Sequence, residues 1–176
     1  MAFADPTIGI SKLALGEGMS VLDVGAGSGA YSHKAAELVG PSGRVFALDV
    51  QKDLLQRLRA ESVKNGAHQL ETIWADAEIP GGTKLIDASV DVAILSNTLF
   101  QVEKKETVLR EIFRVLRKAG KLLLIDWKDS FGGVGPHERD VCKREDALAL
   151  SAKVGFNLLQ EFDPGDHHYG FIFRKP

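Results

Sequence analysis

The stretch that decides the fold is VLDVGAGSGAYS, residues 21–32, in which an apolar run is followed by three glycines at alternate positions. The run Val21–Val24 is typical of a buried strand, and Tyr31–Val39 has the apolar spacing of a helix. Glycine is favoured where the backbone turns sharply or lets a ligand approach it closely. The stretch therefore fits a dinucleotide phosphate cradle, a pocket for another nucleoside cofactor, or a plain tight turn.

Outward from this unit, strand-like and helix-like segments alternate along the chain. Further strands are predicted at residues 44–50, 70–75, 90–96 and 121–127, and further helices at 52–64, 104–118 and 145–154. Gly120 is expected at the C′ position just past the helix 104–118. Residues 156–162 and 169–174 flank DPGDHH and predict a closing hairpin. This alternation favours an α/β fold, a Rossmann-like doubly wound sheet with helices on both faces.

Composition limits the classes of protein to consider. The chain has 176 residues, a net charge of −2 and no linker or repeat, so we expect a single domain over residues 1–176. The absence of a basic excess argues against dedicated nucleic-acid binding. The apolar runs are of strand length, so no membrane span is expected.

The single cysteine and the start of the chain bear on its compartment. Cys142 has no partner for an internal disulfide, which favours a reducing compartment and a structural thiol. Residues 1–5 contain no basic segment of the kind that begins a signal peptide. The sequence therefore predicts a cytoplasmic protein.

Two acidic residues follow the next two predicted strands. Asp49 ends the second strand, and Asp76 follows the third, within WADAEIP. Ligands of doubly wound sheets bind outside the carboxyl ends of the strands, where these side chains would meet the glycine turn. The Asp49 carboxylate is suited to accept bonds from two ribose hydroxyls, and the Asp76 carboxylate to accept one from an adenine amine. The combination predicts a nucleoside ligand.

The identity of that nucleoside has an alternative. Residues 25–30 also read G-x-G-x-x-A, the fingerprint of dinucleotide binding. Asp23 opposes this interpretation, because a carboxylate just before the glycines would repel a pyrophosphate and attract an ammonium group. No Tyr-x-x-x-Lys pair is present either. An NAD-dependent oxidoreductase is therefore the less favoured hypothesis.

Five segments together resemble successive motifs of class I S-adenosylmethionine-dependent methyltransferases. They are VLDVGAGSGAYS, VFALDV, WADAEIP, DVAILSNTLFQV and LREIFRVLRKAGKLLLIDW. The chain is most similar to the ubiquinone/menaquinone-biosynthesis-like group of small-molecule methyltransferases, over about residues 13–174. The resemblance implies a seven-stranded sheet in the order 3-2-1-4-5-7-6 with strand 7 antiparallel. It also implies S-adenosylmethionine as cofactor and transfer of its methyl group to a small-molecule acceptor by in-line displacement.

The resemblance assigns site residues to each part of this cofactor. Asp23 and the loop of Gly25, Ala26, Gly27, Ser28 and Gly29 would hold the methionine moiety. Asp49 would bind the ribose, and Val50 would pack on adenine. Asp76 and Ala77 would contact the adenine edge, and Ser96 and Asn97 would line the space near the sulfonium.

The chain departs from the group in two places. Helices that precede the first strand and help cover the substrate are reduced here to residues 1–15, a short segment that is a possible lid. If that lid is missing, a second subunit is expected to cover the site, which predicts a homodimer. The loop after strand four reads SNTL, unlike the NPPY-type signature of amino-group methylation, and so does not identify the acceptor.

Candidate catalytic groups are few. His137, in the segment after strand five, is the weak candidate for a base or substrate contact, and His167 and His168 are expected at the edge of the hairpin. No metal site is predicted, because adjacent residues of a strand face opposite sides. A cofactor-fold module that binds a partner protein without catalysis is the alternative to an enzyme.

Overall fold

A computed structural model describes residues 5–130 and 135–176 of the chain. Seven strands form one sheet: β1 (Ser20–Val24), β2 (Arg44–Asp49), β3 (Leu70–Trp74), β4 (Val90–Ser96), β5 (Leu116–Trp127), β6 (Asn157–Phe162) and β7 (His168–Arg174). The helices are α1 (Pro6–Ser11), α2 (Ala30–Val39), α3 (Lys52–Lys64), α4 (Lys105–Val115) and α5 (Arg144–Val154), with a short 3₁₀ turn at Glu138–Asp140.

The sheet confirms the predicted topology. Its strand order is β3-β2-β1-β4-β5-β7-β6. The first five strands pair in parallel, whereas β7 is antiparallel to both β5 and β6. The chain order reverses between β1 and β4, and the loops that follow these strands meet at the carboxyl edge of the sheet. A ligand crevice is expected at such a reversal.

The side chains of alternate strand residues pack into two separate hydrophobic cores, one on each face of the sheet. Leu22, Leu124 and Phe171 point to the face covered by α4 and α5. Val21 and Ile125 point to the opposite face, which α1, α2 and α3 cover. Burial on both faces explains the near-continuous apolar runs of the central strands, because neither face is left to water.

The junction of α4 and β5 corrects one prediction. The helix ends at Val115 rather than at residue 118, because Leu116 is already extended and pairs with Val90 of β4. Gly120 is therefore not a helix C′ residue but part of β5. A Cβ at this position would lie 2.8 Å from the Arg117 carbonyl oxygen and 3.0 Å from that of Asp91. Close backbone approach, rather than helix capping, accounts for this glycine.

The N-terminal segment packs on the sheet. Ile10 and Leu13 are each 1% exposed within the core that also holds Tyr31 and Ile125. None of residues 5–15 lines the principal pocket described below, and residues 1–4 lie outside the described part of the chain. A lid role for residues 1–15 remains a prediction.

Candidate active site

The principal pocket lies at the carboxyl edge, beside the strands β1, β2 and β4. Among the residues that line it are five from the sequence prediction: Gly25, Asp49, Val50, Asp76 and Ala77. They come from three separate loops that only the parallel sheet brings together. The fold thus collects the glycine turn and the two strand-end acids into one crevice.

The glycine turn is held by backbone hydrogen bonds, and neighbouring side chains leave little room for a Cβ at two of its glycines. The amides of Gly25 and Ala26 donate to the Leu48 carbonyl oxygen at 2.8 and 3.0 Å. Gly25 has a φ of +72°, and a Cβ there would lie 2.3 Å from Thr98 Oγ1. A Cβ on Gly29 would lie 2.3 Å from a methyl carbon of Leu58. Both glycines are therefore required by close packing as well as by conformation.

Asp49 is bound to the turn that it was predicted to face. One carboxylate oxygen accepts from the Gly27 amide at 2.9 Å, and the other accepts from the Gln51 amide at 2.8 Å. The side chain is 6% exposed and lines the pocket. A carboxylate oxygen has two acceptor positions, so one oxygen that binds an amide can still accept from a hydroxyl. The geometry leaves Asp49 suited to a diol.

Asp76 and Ala77 form the opposite wall of the pocket. Asp76 Oδ1 accepts from the Glu78 amide at 2.8 Å, which fixes the turn after β3. Ala77 is 5% exposed and packs in the first core with Leu48. The second oxygen of Asp76 has no protein donor among the described contacts of that carboxylate. It is available to accept from an amine in the pocket.

Asp23 lies below the glycine turn rather than in the wall of the pocket. It is 2% exposed and accepts a 2.6 Å hydrogen bond from the Ser32 hydroxyl, in the first turn of α2. Burial raises the pKa of Asp23 to about 6, and the nearby Asp49 carboxylate adds to the rise. A buried carboxylate of this kind is stabilised by a cation, and repels an anion.

Polar atoms with few or no protein partners cluster at the start of α2 and the end of β4. Within the described residues, Asn97 Oδ1 is buried and makes no hydrogen bond, and the buried hydroxyls of Tyr31 and Ser96 have no partner apart from each other. Burial raises the pKa of Tyr31 to about 12, so its hydroxyl stays protonated. Asn97 has a φ of +51°, which turns the chain sharply after β4. Buried polar groups that lack a protein partner are expected to bind water or a ligand.

The remaining predicted residues are less enclosed. Ser28 is exposed at the tip of the glycine turn. The His137 side chain is exposed too, and it lines a surface hollow with Glu138, Lys143 and Asp146 rather than the principal pocket. The structure therefore does not bring the predicted catalytic candidate to the cofactor crevice. The segment before it includes residues 131–134, which lie outside the described part of the chain.

Sequence reasoning missed several residues of this edge. Thr98, Gln101 and Val102 line the pocket from the loop after β4, although SNTLFQV was recognised as a strand-end loop. Asp126 is fully buried at the end of β5 and accepts from the Phe100 amide at 3.1 Å, which anchors that loop. The pattern of apolar and polar residues in a loop does not reveal which of its side chains face the pocket.

His168 contradicts the expectation of an edge histidine. Its side chain is 2% exposed, and its ring packs on Trp127 with a centroid distance of 4.2 Å. Burial lowers the pKa of His168, which favours the neutral ring. The pairing of β7 with β5 places the two aromatic residues opposite each other.

Comparison with known proteins agrees with this geometry. Residues 15–161 match a family model described as a methyltransferase domain. The chain belongs to this methyltransferase domain family. The match covers all five segments on which the resemblance was based.

Individual relatives are consistent with that membership. The chain is 33% identical over 161 residues to a ubiquinone/menaquinone biosynthesis C-methyltransferase of Hahella chejuensis, covering 91% of this chain and 61% of the relative. It is 32% identical over 109 residues to a demethylmenaquinone methyltransferase of Lactococcus lactis, covering 62% of this chain and 42% of the relative. The chain thus spans about half the length of these relatives.

A solved structure extends the likeness to the whole described fold. A crystal structure of a SAM-dependent methyltransferase from Aquifex aeolicus superposes with a TM-score of 0.86 at 27% identity. The superposition covers 97% of this chain and 89% of that one. Neither the NAD-dependent oxidoreductase nor the non-catalytic module gains support from these matches.

Two further structural findings concern metals and membranes. Within residues 5–130 and 135–176, no group of three or more His, Cys, Asp or Glu side chains is arranged to hold a metal ion. None of the helices in these ranges has the length and apolar character needed to cross a membrane.

Proposed function

We propose that this methyltransferase-family domain transfers the methyl group of S-adenosylmethionine to a small-molecule acceptor. The observation that carries the proposal is the crevice in which Gly25, Asp49 and Asp76 converge from three loops. Close packing at Gly25 shapes its wall, and the carboxylates of Asp49 and Asp76 both have acceptor positions left for a ligand.

The residues present fit the parts of this cofactor. Asp49 would bind the ribose hydroxyls, Val50 would pack on the adenine, and Asp76 with Ala77 would contact its edge. The methionine moiety would lie on the loop Gly25–Gly29, above the Asp23 carboxylate. Support comes from the buried charge of Asp23, which favours a cationic group, and from the start of α2, which no side chain caps.

The buried oxygens with few or no partners suit the transfer end of the cofactor. S-adenosylmethionine supplies an activated methyl group, so the protein mainly has to orient the reactants and exclude water. Asn97 Oδ1 lacks a partner within the described fold, and the buried hydroxyls of Ser96 and Tyr31 have only each other, so these three groups are proposed to surround the reacting centre. Holding two reactants in attack geometry can lower the barrier by roughly 7–11 kcal/mol.

The acceptor is proposed to be a quinone-type ring or a related small molecule. The support is the activity for which the relatives are named, ubiquinone/menaquinone biosynthesis C-methyltransferase and demethylmenaquinone methyltransferase. An arsenite acceptor is disfavoured, because arsenite favours several thiols and the sequence contains only Cys142. That thiol is 4% exposed, and burial raises its pKa. His137 stays a weak candidate for contact with the acceptor.

Calorimetric titration with S-adenosylmethionine, S-adenosylhomocysteine and NADH tests the cofactor. Micromolar binding of the two adenosyl ligands without NADH binding is expected. Transfer of radiolabelled methyl to a demethylmenaquinone analogue then tests the acceptor. Binding of NADH alone would refute the proposal, and adenosyl binding without turnover of any ring acceptor would refute the acceptor class.

Two finer features are also proposed. A second copy of the chain covers the open side of the site, as the exposure of Val50, Trp74 and Ile79 (59%, 57% and 55%) suggests. Sedimentation as a monomer at micromolar concentration would remove this proposal.

The cytoplasm is the proposed compartment, on the ground that a lone buried thiol suits a reducing environment.

A further inference from the structure

Glu111, on α4, is a buried carboxylate that does not line the principal pocket. It is 3% exposed, yet it accepts hydrogen bonds from a loop far away in sequence. The Gly81 amide donates to Oε2 at 3.0 Å, the Thr83 amide donates to Oε1 at 3.1 Å, and the Thr83 hydroxyl donates to Oε1 at 2.7 Å. Glu111 thereby holds the turn of residues 79–84 against the helix.

Arg114 completes this arrangement one turn later. Its guanidinium donates to Glu111 Oε1 at 2.6 Å and to Oε2 at 2.9 Å, and it also reaches Asp87 at 2.6 Å. Burial acts to raise the pKa of Glu111, but the bonds from Arg114, Thr83 and Gly81 outweigh it and hold the pKa at about 2. The carboxylate is therefore ionised throughout the physiological range, and the turn is bound by charge-assisted hydrogen bonds.

The turn held by Glu111 packs directly on the wall of the pocket. A Cβ on Gly82 would lie 1.9 Å from the Asp76 carbonyl oxygen and 2.7 Å from that of Ile79. The Gly82 amide also donates to the Ile79 carbonyl at 2.7 Å. Because Gly82 lies between the two residues that Glu111 binds, a displaced turn would displace the backbone of Asp76.

The segment that follows Asp76 is the one proposed to meet the adenine. Asp76, Ala77 and Glu78 line the pocket in succession, and the Asp76 side chain already accepts from the Glu78 amide. The direction in which the remaining acceptor positions of Asp76 point therefore depends on how firmly this backbone is held. Discrimination by hydrogen bonds depends on positions defined to a fraction of an ångström.

We propose that Glu111 is a positioning residue for recognition of the adenine base: by holding the turn 79–84 it aims Asp76 and Ala77 at the base edge. This inference rests on the proposed binding of an adenosyl cofactor. It assigns Glu111 a part in ligand specificity rather than in stability alone. The ligand class concerned is a 6-aminopurine nucleoside, as opposed to a 6-oxopurine.

The test compares two ligands that differ only in the base. S-adenosylhomocysteine carries a 6-amino group and an acceptor ring nitrogen, whereas S-inosylhomocysteine reverses both hydrogen-bonding roles. Calorimetry with the wild-type chain is expected to show a preference of roughly 100-fold for the adenosyl ligand. In Glu111→Gln, an amide nitrogen replaces one oxygen that accepts from the turn. We expect the preference to fall about tenfold, while inosyl affinity changes less than about threefold.

A matched control lies on the same helix. Glu106 is bound by Arg110 and Lys153 on the outside of α4 and makes no described contact with the turn 79–84. Glu106→Gln is expected to leave the base preference unchanged. If Glu111→Gln does not fold, Thr83→Val removes one donor to Glu111 with little change of shape, and a preference reduced about threefold is expected.

The outcomes are distinguishable. Equal loss of both ligands in Glu111→Gln, or an unchanged preference in a variant of lowered thermal stability, overturns the positioning role and leaves a structural one. A wild-type chain that binds neither ligand overturns the proposed cofactor, and the role of Glu111 with it. A wild-type chain that binds both equally refutes base recognition at Asp76 and leaves cofactor binding intact.

Discussion

The two ends of the carboxyl edge differ in how their polar atoms are paired. At the proposed adenosine end, Asp49 and Asp76 accept bonds from backbone amides, and Glu111 binds the turn that packs on Asp76. At the proposed transfer end, Asn97 Oδ1 is buried without a partner in the described structure, and the buried hydroxyls of Tyr31 and Ser96 have only each other.

This difference separates a preformed subsite from one that a ligand must complete. Acids already bound to the backbone lose little conformational entropy when a ligand arrives, so they favour affinity. Buried hydroxyl and amide groups with few or no partners carry a desolvation cost that a bound ligand can relieve. We therefore expect substitutions at the adenosine end to act mainly on cofactor affinity, and those at the transfer end to act on turnover.

The largest effect is expected from Gly25→Ala. The added methyl group would lie 2.3 Å from Thr98 Oγ1 in the pocket wall, so the turn has to move. We expect S-adenosylhomocysteine affinity to fall roughly 100-fold or more, equivalent to about 3 kcal/mol. Gly66→Ala is the matched control, because Gly66 has a similar φ of +70° but open space where its Cβ would lie. Equal loss of affinity in both variants would attribute the effect to backbone strain instead.

A smaller loss is expected from Asp49→Asn. The amide keeps one oxygen for the Gly27 or Gln51 amide but loses the charge and one acceptor. Loss of a charged hydrogen bond typically costs about 1.5–3 kcal/mol, so affinity for the adenosyl ligand should fall roughly 10–100-fold by calorimetry. Asp53→Asn changes an exposed carboxylate at the start of α3 and is expected to bind normally. Full affinity in Asp49→Asn would contradict the ribose assignment.

The pH dependence of the free energy of unfolding tests the buried Asp126 carboxyl near the end of β5. Burial raises the pKa of Asp126 from 3.8 to about 6. Between these values the folded chain binds more protons than the unfolded chain, so this group makes stability fall as pH rises from about 4 to 6.

Asp126→Asn removes that titration. The free energy of unfolding of the variant minus that of wild type should therefore increase by about 2–3 kcal/mol between pH 4 and pH 7.5. Weaker hydrogen bonds from the amides that Asp126 binds would add a destabilisation that does not change with pH. Urea unfolding at several pH values measures this difference. Parallel stability curves for the two proteins would show that Asp126 does not titrate in this range.

The smallest effect is expected from Cys142→Ala. The thiol is buried in the core and does not line the principal pocket, and burial raises its pKa, which keeps it protonated. Thermal unfolding should show a loss of about 1 kcal/mol, with cofactor affinity and turnover unchanged. A large loss of methyl transfer in this variant would instead give the thiol a chemical role.

The alternation of segments predicted a doubly wound sheet with a closing hairpin, and the resemblance to class I methyltransferases implied the strand order that the structure confirms. Element ends were less predictable. The helix α4 stops at Val115 because Leu116 joins the sheet opposite Val90, a long-range pairing that local helix propensity does not include. His168 was misplaced for a similar reason, since its burial depends on Trp127 of a strand distant in sequence.

The sequence by itself determined the fold, the glycine turn and the acids at the strand ends. These features follow from local rules: the period of apolar residues, the need for glycine in a sharp turn, and the meeting of parallel strand ends at one edge. Only the tertiary structure decided which atoms are free to bind. The pairing of Asp49 with Gly27, the bonds of Glu111 to a turn about 30 residues away, and the unpartnered oxygen of Asn97 depend on contacts between segments distant in the chain.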